Sequence, residues 1–362
     1  MMKQDIFVIK SVFIAASYIG TFPSEHKAIQ RRVLIVILTI VHMIGTVCII
    51  MYYKYTSRSM KFEVTEKFLM AMQFMALFLF NGHCLYGSIN NNSLWNSFFE
   101  NIEIINNRFK HSVKLGKEIF KWILFVLFYS CIYVIAMWLP KTEMSNYSLF
   151  SSIYWLMLHL EMLFLTLVTS QSSNFLSIRY TQLQKSLLET FSTDSITIGE
   201  DLSHYENVQE IKLYILTLHK AATDINRATG KMVLTLLILT FLSMLSIFNL
   251  LLFIYKTMNF WHFLPNLGNL LENVSLWVFS LAIILSCDKV EKTSKELINT
   301  CTYIYASKGS EDALMLLNLA KELRPKFTAA GFFEINQRLL PTFLSNLSTY
   351  LIIILQFKFS AL

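Results

Sequence analysis

The residues able to do chemistry in this 362-residue chain are polar and aromatic side chains set inside long apolar runs. An ionisable group in hydrocarbon is costly, so it faces a cavity, a partner or an aqueous path. His159 and Glu161 stand near the middle of the run 149–172, and Glu272 lies in the outer half of the run 263–287. With Tyr133, Trp138, Tyr154, Trp155, Asn249 and Asn269 they are candidates for lining a small-molecule cavity, because such pockets combine aromatic walls with a few converging polar groups. The same residues also fit a structural reading. Polar groups can bond between helices, and Trp138, Tyr154 and Trp155 can form an interfacial belt. Both readings stay open for each residue.

A second set keeps a helical register. Ser345, Thr349, Ile352 and Gln356 are spaced four, three and four apart in the last apolar run, with Ile353 beside them. One helix face then carries a polar stripe broken by bulky aliphatics. That suits a helix lining a water-filled path, where aliphatics gate by dewetting and amides contact partly hydrated ions. A helix packed on its neighbours by small and polar residues fits the pattern equally well. Phosphate loops, His-Glu-x-x-His, nucleophile elbows and dinucleotide fingerprints do not occur, so no enzyme activity is expected. The five cysteines form no spaced pair, which signals neither a zinc site nor a disulfide framework; no metal or cofactor is expected.

What must position these residues is a set of long helices. Hydrophobic residues make up 54% of the chain and charged ones 15%, and the mean hydropathy is +0.49. A soluble globular surface does not tolerate that balance, so soluble enzymes are disfavoured and no nucleic-acid partner is expected. Ten glycines and five prolines argue against linker-rich chains or broken helices. A membrane-crossing helix needs about 20 mostly apolar residues. Seven runs qualify: 33–53, 68–89, 122–140, 149–172, 232–255, 263–287 and 339–357. The expected fold class is therefore all-α, a polytopic membrane protein with seven transmembrane helices in contact with lipid.

Lys and Arg divide unevenly between the connections. With a cytoplasmic N-terminus, 24 of the 31 lie inside and seven outside, so the positive-inside rule places the N-terminus in the cytoplasm and the C-terminus outside. This is the inverse of a G-protein-coupled receptor. No acidic-Arg-Tyr triplet closes the third span and no Asn-Pro-x-x-Tyr lies in the seventh, so no G protein is expected. The sequon at Asn146 falls in a short outer loop, where it could be glycosylated. Triplets at Asn91, Asn273 and Asn346 would be buried or cytoplasmic, and chance explains all four equally well. The segment 5–23, interrupted by Lys10, reads as an interfacial or partly embedded helix rather than a signal peptide.

Three cytoplasmic connections are long: 90–121, 173–231 and 288–338. In the second, Ile211, Ile215, Leu218, Ala222 and Ile225 recur at helical steps, a stripe that must pack within one subunit or between subunits. A similar run, 311–323, stops at Pro325, and 191–205 reads as a polar loop. No internal repeat appears, which disfavours a transporter built on inverted repeats.

The run Thr349-Tyr350-Leu351-Ile352-Ile353-Ile354-Leu355-Gln356-Phe357 resembles, position by position, the signature TYhhhhhQF of insect gustatory receptors. The preceding stretch 327–336 and, more weakly, 19–23 resemble segments of the same family. The resemblance implies a ligand-gated, non-selective cation channel similar in architecture to insect odorant receptors. Four subunits, identical or from related receptors, would surround a pore lined by the last helix, and each would bind a small-molecule tastant in the outer half of its own bundle. It places Gln356 toward the pore, makes Ile352 and Ile353 gate candidates, and puts Thr349 and Tyr350 on the pore helix. On this basis the chain divides into a cytoplasmic segment (1–32) and a six-helix ligand-binding bundle with cytoplasmic extensions (33–287). A cytoplasmic anchor (288–338) and a pore helix with a short extracellular tail (339–362) follow. Sugar receptors of the family carry Glu after the Thr-Tyr pair, where this chain has Leu351. Bitter or deterrent compounds are the first expectation, ahead of a fructose-type receptor or a non-channel carrier, in the plasma membrane of sensory neurons.

Overall fold

A computed structural model describes residues 4–18, 22–23, 64–108, 124, 146–192, 201–257 and 267–360, with scattered positions between 33 and 51. Eight helices carry nearly all of them: α1 (Gln4–Tyr18), α2 (Val64–Asn90), α3 (Asn92–Arg108), α4 (Asn146–Ser192), α5 (Asp201–Thr257), α6 (Leu267–Lys308), α7 (Glu311–Glu322) and α8 (Leu339–Ser360). The one β-bridge among the described residues joins Thr328 and Glu334. At 1.5 Å per residue the 57-residue α5 is about 85 Å long, against a hydrocarbon core of about 30 Å. The three longest helices therefore have an apolar half and a polar half that continues as the same helix. In α4 the polar half begins at residue 173, in α5 it ends at 231, and in α6 it begins at 288.

Helix α5 is the central post, with α2, α3, α4, α6, α7 and α8 packed along it. The stripe Ile211, Ile215, Leu218, Ala222 and Ile225 is buried within the subunit, so the chain supplies its own partner for that face. Helix α1 buries Ile9, Phe13 and Ala16. There Phe13 meets Trp95 at 4.8 Å and Phe99 at 5.1 Å between ring centroids, and the Lys10 ammonium lies 5.5 Å over the Phe99 ring. The lysine that interrupts the apolar N-terminal segment thus rests on an aromatic face.

Helix ends follow local chemistry. Gly309, at φ +63, closes α6 with its N–H on the Tyr305 carbonyl. Ser310 then caps α7, accepting from Ala313 N–H, and Glu311 and Asp312 sit in the first turn, where the helix dipole favours them. The chain from Phe327 to Asn336 makes a tight hairpin whose turn residues Ala330 and Gly331 both have positive φ, as a type I′ turn requires.

The expected spans relate to these helices unevenly. Four described stretches are long and apolar enough to cross a membrane: Phe68–Asn90, Glu206–Asn249, Asn273–Lys308 and Leu339–Gln356. They contain or overlap the second, fifth, sixth and seventh expected spans. The fourth lies within α4, and nearly half of the first and nearly all of the third fall outside the described residues. Asn146 opens α4 rather than lying in a loop. In the segment read as a loop, Phe191, Ser192 and residues 201–205 are helical, because α4 and α5 extend further than their polar composition signals.

Candidate functional site

Two hydrogen-bond ladders fix how the bundle helices align. Between α4 and α6, Ser170 Oγ donates to the Ala282 carbonyl at 3.4 Å, Ser286 Oγ to Ser170 Oγ at 3.3 Å, and Gln184 Nε2 to Thr300 Oγ1 at 2.8 Å. Partners stay 112–116 residues apart, so the two helices run parallel in one register. Between α5 and α6, Thr240 Oγ1 lies 2.7 Å from Ser280 Oγ, and Ser243 bonds Asn273, so these helices run antiparallel. Continuing both registers sets His159 level with Asn273, and sets Trp155 and Asn249 near the level of Asn269. The candidates on three different helices thus fall within about two turns of one another along the bundle.

His159, Glu161 and Asn249 are buried, at 3%, 2% and 5% exposure. Tyr154, Trp155, Asn269 and Glu272 belong to α4 and α6, but their side chains, like Tyr133 and Trp138, lie outside the described residues. Asn91 donates to the Ala228 carbonyl at 3.0 Å and Asn273 accepts from Ser243, so two of the chance sequons are occupied by structural bonds.

Helix α8 has two opposite faces. Phe343 packs on Phe241 at 5.3 Å and on Trp277 at 5.7 Å, Leu347 is buried, and Ile354 packs against the core. Two positions round the helix from that row, Ser345, Thr349, Ile352 and Gln356 are all exposed, with Ile352 at 55%. Ile353 is exposed beside them, and Tyr350 keeps an edge contact with Phe241.

Several polar groups were invisible in the sequence. Asp224 in α5 is buried and accepts from Ser97 at 2.8 Å and Asn101 at 3.4 Å; burial raises its carboxyl despite those bonds and the nearby Lys220 and Arg227. Arg179 in α4 is fully buried, bonded to Gln182 and Asn106 and stacked over Phe175. In the polar half of α6, Glu291 pairs with Arg324, with Lys295 at 3.3 Å, and accepts from Asn336 at 3.3 Å. Burial pushes the Glu291 carboxyl up, but the bonds from Asn336 and Lys295 and the charges of Arg324 and Lys295 outweigh it and hold it below the usual glutamate range. Ser97 and Asn101, Asn106, and Arg324 and Asn336 reach these groups from other elements, which only the fold brings together. Among the described residues no group of three or more His, Cys, Asp or Glu is arranged to hold a metal ion.

The family model described as 7tm chemosensory receptor matches residues 9–361. No curated protein sequence matches the chain. The fold is similar to the insect olfactory receptor OR5 from Machilis hrabei, at 12% identity and a TM-score of 0.63, with 98% of each chain covered. It is also similar to that receptor in complex with eugenol, at 14% identity and a TM-score of 0.56 over the same share of each chain.

Proposed function

The chain belongs to the 7tm chemosensory receptor family, and from that premise we propose that it is a gustatory receptor working as a ligand-gated, non-selective cation channel. The supporting observation is the division of α8: its packed row is aromatic and aliphatic, while its exposed row carries Ser345, Thr349 and Gln356. Lipid is a poor neighbour for an amide, so the exposed row favours water or a second subunit. Four copies that turn this row inward make a pore wall with hydroxyl and amide groups for partly hydrated cations. Ile352 and Ile353, both exposed, are the aliphatic constriction.

The ligand pocket in this reading lies in the apolar half of the bundle, where His159, Asn249, Asn269 and Glu272 fall at similar levels with Tyr154 and Trp155. Tyr133 and Trp138 complete the proposed lining. That the similar receptor OR5 forms a complex with eugenol supports a small organic ligand here. Leu351, in place of an acidic residue after Thr349-Tyr350, favours bitter or deterrent compounds over common sugars. A tastant opens the pore to the extent that it binds the open arrangement more tightly than the closed one. The N-terminus is cytoplasmic and the short C-terminal tail extracellular, in the plasma membrane of sensory neurons, with no G protein needed.

Whole-cell recording from cells expressing the chain alone tests this, with quinine, caffeine and fructose applied from outside. A weakly selective cation current evoked by an alkaloid is expected. Silence from protein that reaches the surface as a monomer overturns the channel reading.

A further inference from the structure

We infer that Asp288 and Glu291 latch the segment between α7 and α8 to α6, so that movement of α6 is passed to the first turn of the last helix. This coupling role rests on the channel reading above. Asp288, Glu291, Lys292 and Lys295 are spaced three, one and three apart on one face of α6. Glu291 holds both flanks of the hairpin, Arg324 before it and Asn336 after it. Asp288 accepts from the Gln337 N–H at 3.1 Å, and Lys292 bridges Asp288 at 2.7 Å and Gln337 Oε1 at 2.8 Å. The Asp288 and Glu291 side chains are only 11% and 13% exposed, so solvent screens these contacts weakly.

Asn336 is the joint. Its Oδ1 accepts the Arg338 N–H at 3.1 Å, and its carbonyl accepts the Leu339 N–H at 3.0 Å, which is how a cap opens a helix. Its Nδ2 donates to Glu291 at the same time. The residue that starts α8 is therefore the residue that α6 holds, with no slack between them. On the far side Asn226 of α5 grips the hairpin through the Thr328 N–H at 2.8 Å and Thr328 Oγ1 at 3.2 Å. Along the rest of its length α8 meets its own subunit through a single row of side chains, so its N-terminal end is where the bundle can direct it. The stretch 327–336 is thereby a rigid staple whose two legs stand on α5 and α6.

The test uses the full chain in three forms, Glu291→Arg, Arg324→Glu and the double exchange, with Asn336→Asp as a fourth that keeps the cap oxygen but sets a second carboxylate against Glu291. Amide hydrogen exchange over 326–338 reads the latch itself. Currents evoked by quinine, caffeine or fructose, whichever opens the wild type, read its coupling. Each single variant is expected to lose exchange protection and to shift the half-maximal concentration by about tenfold. The double exchange re-forms the 291–324 ion pair and restores both in part, since an arginine cannot accept the Asn336 Nδ2–H, and unitary conductance and reversal potential stay those of the wild type. Variants that release the hairpin yet respond as the wild type overturn the inference, as does a double exchange that restores neither readout. An altered conductance overturns it too, since the latch touches no pore-facing side chain. A silent wild type instead brings down the channel reading and the coupling with it, while exchange still shows whether the clamp exists.

Discussion

A Cβ at position 230 would come within 3.1 Å of the Thr328 carbonyl oxygen and 3.2 Å of the Ala330 nitrogen, both backbone atoms of the hairpin turn. Backbone atoms in a tight turn cannot swing aside as a side-chain end would. Gly230→Ala is therefore expected to cost about 1–3 kcal/mol, read as a lower melting temperature in detergent with lost exchange protection at Ala329 and Ile335. Unchanged protection there would show that the hairpin does not rest on α5. Glu291 sets a pH limit on the same region. Its carboxyl titrates lower in the folded chain than in the unfolded one, so its contribution is present above the unfolded value, about 4.3, and is lost as pH falls through the folded value. Hairpin protection should hold from neutral pH to that point and drop only in stronger acid, whereas a loss between pH 7 and 5 would implicate another group. If the exposed row of α8 lines the pore as proposed, Gln356→Ala should change cation permeability ratios and leave ligand potency alone. His159→Ala, in the buried row of α4, should do the reverse, and exchanged effects would reverse the two assignments. That Ser345, Thr349, Ile352 and Gln356 share one helix face was legible because they repeat at helical steps within one segment. The contacts of Asp224, Asn226 and Glu291 with other elements were not, because Ser97, Thr328 and Arg324 stand 33–127 residues away and no local pattern announces them.

Between elements, the apolar stripe of α5 was readable as one face of a helix, but the choice between its own subunit and another was not. Periodicity reports that a face must be covered and says nothing of what covers it. The structure covers that face from within. The polar ends of α4 and α5 were misread for a related reason: long helices held by tertiary contacts continue through sequence of weak intrinsic preference. Helix α1 gives a test at this scale. Its only described aromatic anchor is Phe13, set among Phe22, Trp95 and Phe99. Trp95, 1% exposed, also contacts Phe22 and Phe98. Trp95→Ala should cost about 3–5 kcal/mol and expose residues 9–17 to exchange before the α4–α6 pair loosens. Simultaneous loss across α1, α4 and α6 would mean that α1 is part of the bundle core rather than a brace added to it.

For the molecule as a whole, the distribution of exposed apolar surface decides whether one chain is complete. In the apolar halves, exposed residues such as Phe78, Leu79 and Leu285 need only lipid. Beyond those halves Tyr303, at 69%, and Phe332, at 78%, stand in segments too polar to sit in hydrocarbon. Helix α8 is long and apolar enough to cross a membrane, yet only 6% of that stretch is buried, and Ser345, Thr349 and Gln356 are among its exposed residues. Under the channel reading proposed above, further copies of the same chain, arranged with α8 toward a common axis, would cover a surface that lipid suits poorly in the membrane and water suits poorly below it. Protein purified in mild detergent should then have the mass of four 42.1 kDa protomers. Phe332→Asp combined with Tyr303→Asp should shift that population toward smaller species while exchange within the α4–α6 ladder is unchanged. A wild-type monomer under conditions that preserve ligand binding would leave the exposed residues of α8 facing detergent and overturn the four-subunit arrangement.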